Sequence, residues 1–155
     1  MPLTLEIVTP EKKLYHGTTE SVVMPTARGE IGILPGHLPL ITMVEPGELR
    51  LSNPGPNEML GEEHPDHGKP GPAELAVDKG FVRIQGDIVS VLTEAAIDVA
   101  AIDLSEVEQA EERARKALED ARKKGETDPA EIEHLEQITR FAVAQRLAKG
   151  RRRGM

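Results

Sequence analysis

The stretch "FVRIQGDIVSVLTEAAI", residues 81–97, decides the fold. Val82 and Ile84 precede the turn-forming Gln85-Gly86-Asp87, and Val89 and Val91 follow it at the same spacing. Apolar side chains two apart put one face of a strand in a core, and β-branched residues suit the pleat. "LTLEIV" repeats the pattern with Leu3, Leu5 and Ile7. Turn residues at Gly17, Arg28-Gly29, Pro35-Gly36, Pro46-Gly47 and Asp78-Lys79-Gly80 divide the remainder up to Ile97 into short runs. Short strands at intervals of roughly 8 to 12 residues predict a β-sandwich or barrel of about ten strands over residues 1–97.

One segment breaks that rhythm. "SNPGPNEMLGEEHPDHGKPGPAE", residues 52–74, has almost no apolar content and many prolines and glycines, which remove ladder donors and favour turns. It is expected to be an exposed loop inserted between two strands, either functional or disordered.

From Asp103 the period changes to about 3.6. Asp103 and Glu106 stand at capping-box spacing, and Leu104, Val107, Ala110, Ala114, Ala117, Leu118 and Ala121 form one stripe. Glu111/Arg115, Glu112/Lys116, Glu119/Lys123 and Asp120/Lys124 are acid-first i,i+4 pairs. Gly125 suits the left-handed position that ends a helix. Asp128, Pro129 and Glu131 start a second helix, with its apolar stripe on Ile132, Leu135, Ile138 and Ala142, widened by Phe141, Val143 and Leu147. A short link makes the two helices antiparallel. The predicted class is therefore α+β, a sandwich followed by a helical hairpin over 103–150 and a basic tail over 151–155.

Composition excludes several functions. The chain has 155 residues, a net charge of -8, no cysteine and three aromatic residues, Tyr15, Phe81 and Phe141. Neither a phosphate-neutralising surface nor a base-stacking platform can be built from that, so a nucleic-acid partner is not expected. Disulfides, thiolate metal sites and cysteine nucleophiles are excluded. No run of about 18 apolar residues is present, so membrane association would come through a partner. "KGRRRGM" puts Lys149, Arg151, Arg152 and Arg153 together and leaves the rest of the chain at -12. A helix C-terminus or an acidic protein surface is the better match for that cluster than lipid or nucleic acid.

Two histidine stretches invite a chemical reading. In "RGEIGILPGHLPLI", residues 28–41, His37 has no serine, cysteine or carboxylate at relay spacing. The glycines there match neither a phosphate-binding loop nor a dinucleotide fingerprint, so a surface turn is the expectation. "EEHPDHG", residues 62–68, could offer His64, Asp66 and His67 to a metal, in the manner of a metal-dependent hydrolase. Pro65 and a flexible context give that set no fixed geometry, and no metal site is expected.

"GEIGILPGHLPLI", "PGELRL" and "ELAVDKGFVRIQGDIVSVLTEAA", followed by the Ala- and Glu-rich helices, resemble the epsilon subunit of the F-type ATP synthase. The likeness covers the chain apart from the inserted loop. It implies a non-catalytic central-stalk subunit that links gamma to the membrane c ring, couples ion translocation to ATP synthesis, and restrains hydrolysis through its C-terminal helices. It further implies a peripheral place on the cytoplasmic face of a bacterial inner membrane, with transient contact to the alpha/beta catalytic head. Glu30, Gly36, His37 and Pro39 would then be docking residues, Glu30 toward the ring and His37 toward gamma. Ala110, Ala114, Ala117 and Ala121 would form a regulatory helix face. Burying four alanine methyls yields only about 3 kcal/mol, against about 6–12 for four leucines. Inverting a 1:99 balance takes about 5.5 kcal/mol, so such a face could be released by a partner.

Some members of that family bind ATP through an Ile/Leu-Asp-x-x-Arg-Ala motif. Here Ile102 and Asp103 match, but Glu106 and Val107 replace the Arg and Ala. A carboxylate in place of a phosphate-binding cation reverses the electrostatics. No cofactor is therefore expected, and a small ATP-sensing module stands as the alternative reading.

Overall fold

The computed structural model describes residues 2–125 and 128–153, with side chains to residue 151. Ten strands come first: β1 Leu3–Val8, β2 Lys13–Thr19, β3 Ser21–Thr26, β4 Gly29–Ile33, β5 Leu40–Val44, β6 Gly47–Ser52, β7 Glu74–Val77, β8 Gly80–Gln85, β9 Ile88–Thr93 and β10 Ala96–Asp98. A short 3-10 turn, Val99–Ala101, leads into helices α1, Leu104–Lys123, and α2, Pro129–Arg153.

The strands form one hydrogen-bonded path, β10-β7-β6-β3-β5-β8-β9-β1-β2, with β4 on β3. At the β3–β5 corner the pairing narrows to Thr26 against Val44, and there the sheet folds over into two layers. All neighbours are antiparallel except β1 and β9. The alternation read in the sequence sets which side chains fill the space between the layers: Leu3, Leu5, Ile7, Tyr15, Met24, Leu49, Val82, Ile84, Val89 and Val91 are all buried. Gly80 is obligatory, because a Cβ there would run into the Leu92 carbonyl across the β8–β9 pair.

Asp103 caps α1, its side chain accepting from the amides of Ser105 at 2.9 Å and Glu106 at 3.4 Å. Only this half of the expected capping box forms among the described hydrogen bonds; Glu106 supplies its amide and not its carboxylate. Gly125 has φ +67°, as the helix stop predicts. Asp128 caps α2 through the Ala130 amide at 3.1 Å.

α2 lies on β6, β7 and the 3-10 turn, and α1 lies on α2. This layering corrects two expectations about the stripes. α2 must serve a sheet on one side and a helix on the other, so its buried residues are Ala142, Ala144 and Ala148, while Ile138 and Leu147 are exposed. On α1 the buried line runs through Val107, Glu111, Ala114 and Ala121, with Ala110 half-buried and Ala117 exposed. The basic tail is also not a tail at its start: α2 continues through Arg153, and Arg151 meets the sandwich at Glu48.

Candidate docking surfaces

Strand pairing aligns one outward face of the second layer. Met43 of β5 stands opposite Phe81 of β8, and Phe81 opposite Leu92 of β9. Because successive residues of a strand alternate sides, Val44, Val82 and Val91 fill the core while this row faces outward. Ile41 and Ile88 extend it along the same face. Their exposures are large: Ile41 71%, Met43 58%, Ile88 54%, Phe81 47% and Leu92 40%. Arg83, Gln85 and Ser90 share the face and set Ile88 apart, so the unbroken apolar row is Met43–Phe81–Leu92 with Ile41 beside it. Single exposed apolar residues are ordinary, but a row across three strands is a candidate docking surface.

The histidine turn belongs to the approach to this face. Gly36, at φ +83°, closes it, and its amide donates to Asp87 Oδ1 at 3.0 Å, in the β8–β9 turn. The His37 amide donates to the Leu34 carbonyl at 3.1 Å, and Nδ1 lies 2.6 Å from the Leu38 carbonyl. No relay partner accompanies His37 among the described hydrogen bonds; its ring is held by backbone. Leu34 and Leu38 flank it at 63% and 79% exposure, and Pro39 is exposed beside them.

Glu30 lies elsewhere, at the other end of β4. Both its oxygens accept from Arg50, at 3.1 and 2.7 Å. The guanidinium holds the carboxyl below its usual range, the hydrogen bonds being the main cause. Glu30 stands on the rim of a groove of about 450 Å³, whose floor includes Pro25, Pro46, Val143, Ala144 and Leu147. Glu48 and Arg151 line the same groove. Sequence reasoning passed over Glu48 because an acidic residue in "PGELRL" looks like an outward-facing one. It is 7% exposed, since α2 covers that side of β6.

The hairpin is tied down by polar contacts around a small apolar cluster of Ala76, Val99, Ile102, Val107, Ala142 and Ala148. Gln137 donates to Asp78 at 3.2 Å, Lys149 donates to the Val99 carbonyl at 3.2 Å, and Arg151 pairs with Glu48 at 3.0 Å. Buried Glu111 pairs with Arg115 one turn along α1 at 2.8 Å and, between the helices, with Arg146 of α2 at 3.1 Å. Of the motif positions, Ile102 and Val107 are buried, Asp103 is the helix cap, and Glu106 faces solvent. Two arginines could in principle stand in for the missing motif cation, Arg115 and Arg140; the first pairs with Glu111, while the second lines the Glu30 groove near Glu136, so the two do not converge.

The inserted loop is ordered against the sandwich and joins β6 to β7, as its position implied. Asp66 bonds Lys69 at 2.9 Å, His64 Nδ1 lies 3.1 Å from the Asp66 amide, and His67 Nδ1 lies 3.2 Å from the Leu60 carbonyl. No group of three or more His, Asp or Glu side chains is placed to hold a metal among the described residues. No described helix is long and apolar enough to cross a membrane.

A family model described as "ATP synthase, Delta/Epsilon chain, beta-sandwich domain" matches residues 2–60. The chain is 33% identical over 153 residues to ATP synthase epsilon chain 2 of Ralstonia nicotianae, covering 98% of this chain and 100% of that protein. It is 36% identical over 152 residues to the ATP synthase epsilon chain of Acidithiobacillus ferridurans, covering 95% and 94%. The fold also matches a chain in the structure of Euglena gracilis mitochondrial ATP synthase, OSCP/F1/c-ring in rotational state 1, with a TM-score of 0.66 and 21% identity over 95% of this chain and 81% of that one. A sandwich with ten strands and two trailing helices, matched from end to end by such relatives, assigns the chain to the ATP synthase epsilon chain family, whose members are non-catalytic subunits of that complex.

Proposed function

We propose that this chain is a central-stalk subunit that binds gamma through the Met43–Phe81–Leu92 face and the His37 turn, and meets the c ring near Glu30. The observation that carries the reading is the apolar row on β5, β8 and β9, bordered by a turn that Asp87 fixes in place. A preformed turn loses little freedom on binding, which suits a permanent grip. The two docking elements flank different surfaces, one beside the apolar face and one beside the α2 groove, so one small domain can bridge two partners. It is held at the membrane only through the complex, coupling ion translocation to ATP synthesis while breaking no bond itself.

The hairpin supplies the regulatory element in this proposal. Among the described residues it is held by a small apolar cluster, half of it alanine, and by one ion pair, Arg151 with Glu48, so release is energetically within reach of a partner. Extended toward the catalytic head, it would restrain hydrolysis. Co-purification with a gamma–c-ring preparation tests the docking roles: Glu30→Lys should weaken retention on the ring and His37→Ala retention on gamma. Undiminished retention of both variants would count against the assignment.

A further inference from the structure

β2 is the last strand on the sheet path, and its outer edge would ordinarily present unpaired backbone groups. Here the inserted loop takes the Leu14, His16 and Thr18 carbonyls and the His16 amide. The Gly55 amide donates to the Thr18 carbonyl at 2.7 Å, and the Glu58 amide to the His16 carbonyl at 2.8 Å. Asn57 works as a backbone mimic: Nδ2 donates to the Leu14 carbonyl at 3.0 Å, and Oδ1 accepts from the His16 amide at 3.3 Å. Tyr15 locks the arrangement, its hydroxyl donating to the Gly55 carbonyl at 2.8 Å. Gly71 is packed so tightly on the Tyr15 ring that a Cβ there would collide with it. A Pro56–Pro70 bridge and the Gly71 amide on the Gly55 carbonyl close the loop on itself. A connection between β6 and β7 does not need this length, because Arg50 already faces Glu74 across the pair. A short turn would suffice.

We propose that the outer edge of β2 is a strand-pairing surface for a second copy of this chain, and that the 53–72 insert occupies it in cis. The edge suits itself as a partner. Antiparallel pairing about His16 sets His16 against itself, Leu14 against Thr18, Tyr15 against Gly17 and Lys13 against Thr19, so no two lysines or carboxylates oppose each other. Threonine and tyrosine favour the strand, and no proline or acidic residue guards Lys13–Thr19. The insert does the guarding, by filling the hydrogen bonds a neighbour would make.

The test replaces residues 53–72 with an Asn-Gly turn and measures self-association by analytical ultracentrifugation. The shortened chain should associate about tenfold or more tightly than the intact one, several net hydrogen bonds having become available. Adding His16→Pro to the shortened chain should reverse the gain, because that amide points away from β1 and serves only the edge. Association no tighter than that of the intact chain overturns the proposal, and so does association that survives His16→Pro. Should the shortened chain fail to fold, Asn57→Ala in the full-length protein decides: faster amide exchange at His16 with tighter self-association supports it, and unchanged self-association overturns it.

Discussion

Glu48 and Arg151 meet where the last turns of α2 cross β6, as one of the ties between hairpin and sandwich. Burial pushes the Glu48 carboxyl above its ordinary value of 4.5; Arg151 pulls it part of the way back, Glu74 adds to the rise and Arg50 opposes it. A group whose pKa is raised in the packed state binds its proton more tightly there than when exposed. Its contribution to packing is therefore complete below about 4.5 and is lost as pH rises through the raised value. Amide exchange along α2 should accordingly quicken with pH over that window, beyond the intrinsic rate change, and Glu48→Gln should remove the extra slope. Arg151→Ala leaves a buried carboxylate without its partner and should loosen the hairpin by about 1–3 kcal/mol at neutral pH. Glu30 behaves in the opposite sense: Arg50 lowers its pKa, so its contribution is present above the ordinary value and fades as pH falls through the lowered one.

The helices show why some elements are legible in a sequence and others less so. The strand pattern translates directly, because each strand has one buried side; Val82 and Ile84, or Val89 and Val91, can only point inward together. α1 also packs mainly on one partner, so its caps and most of its stripe are readable, and the surprise is Glu111, read as one of the charged i,i+4 pairs opposite the stripe and found buried. A buried carboxylate becomes readable only when Arg146 is known to arrive from α2. α2 has two partners, and a helix buried on two sides loses the single stripe that marks an amphipathic one. Its true contacts, Ala142, Ala144 and Ala148, are the residues a hydrophobicity reading ranks below Leu147. Of the candidate docking residues, the Gly36–His37 turn is visible as a motif, while the Met43–Phe81–Leu92 row is not, because it exists only through register across three strands. Ala114 and Ala121 sit buried on α1, against α2, where leucine overpacks by about 1–3 kcal/mol each. The double leucine variant should change the balance between folded-back and extended hairpin and so alter ATP hydrolysis by the reconstituted complex; unchanged hydrolysis would count against the regulatory role.

At the level of the whole molecule, three surfaces divide the work of one small domain. The outer face of β5, β8 and β9 carries an open apolar row beside Arg83 and Gln85, the opposite layer is covered by α2, and the β2 edge is covered by the insert. Of the three, the first has no cover among the described residues, and gamma is the proposed cover. Binding of purified gamma to the intact chain and to Met43→Glu and Phe81→Glu variants measures this directly. Both substitutions point away from the core, so the fold should persist, which thermal unfolding of the free variants checks. A carboxylate buried in an apolar interface should weaken binding by at least about a hundredfold for the pair of substitutions. Gamma binding that stays within about twofold of the intact chain, with the variants folded, would contradict the account.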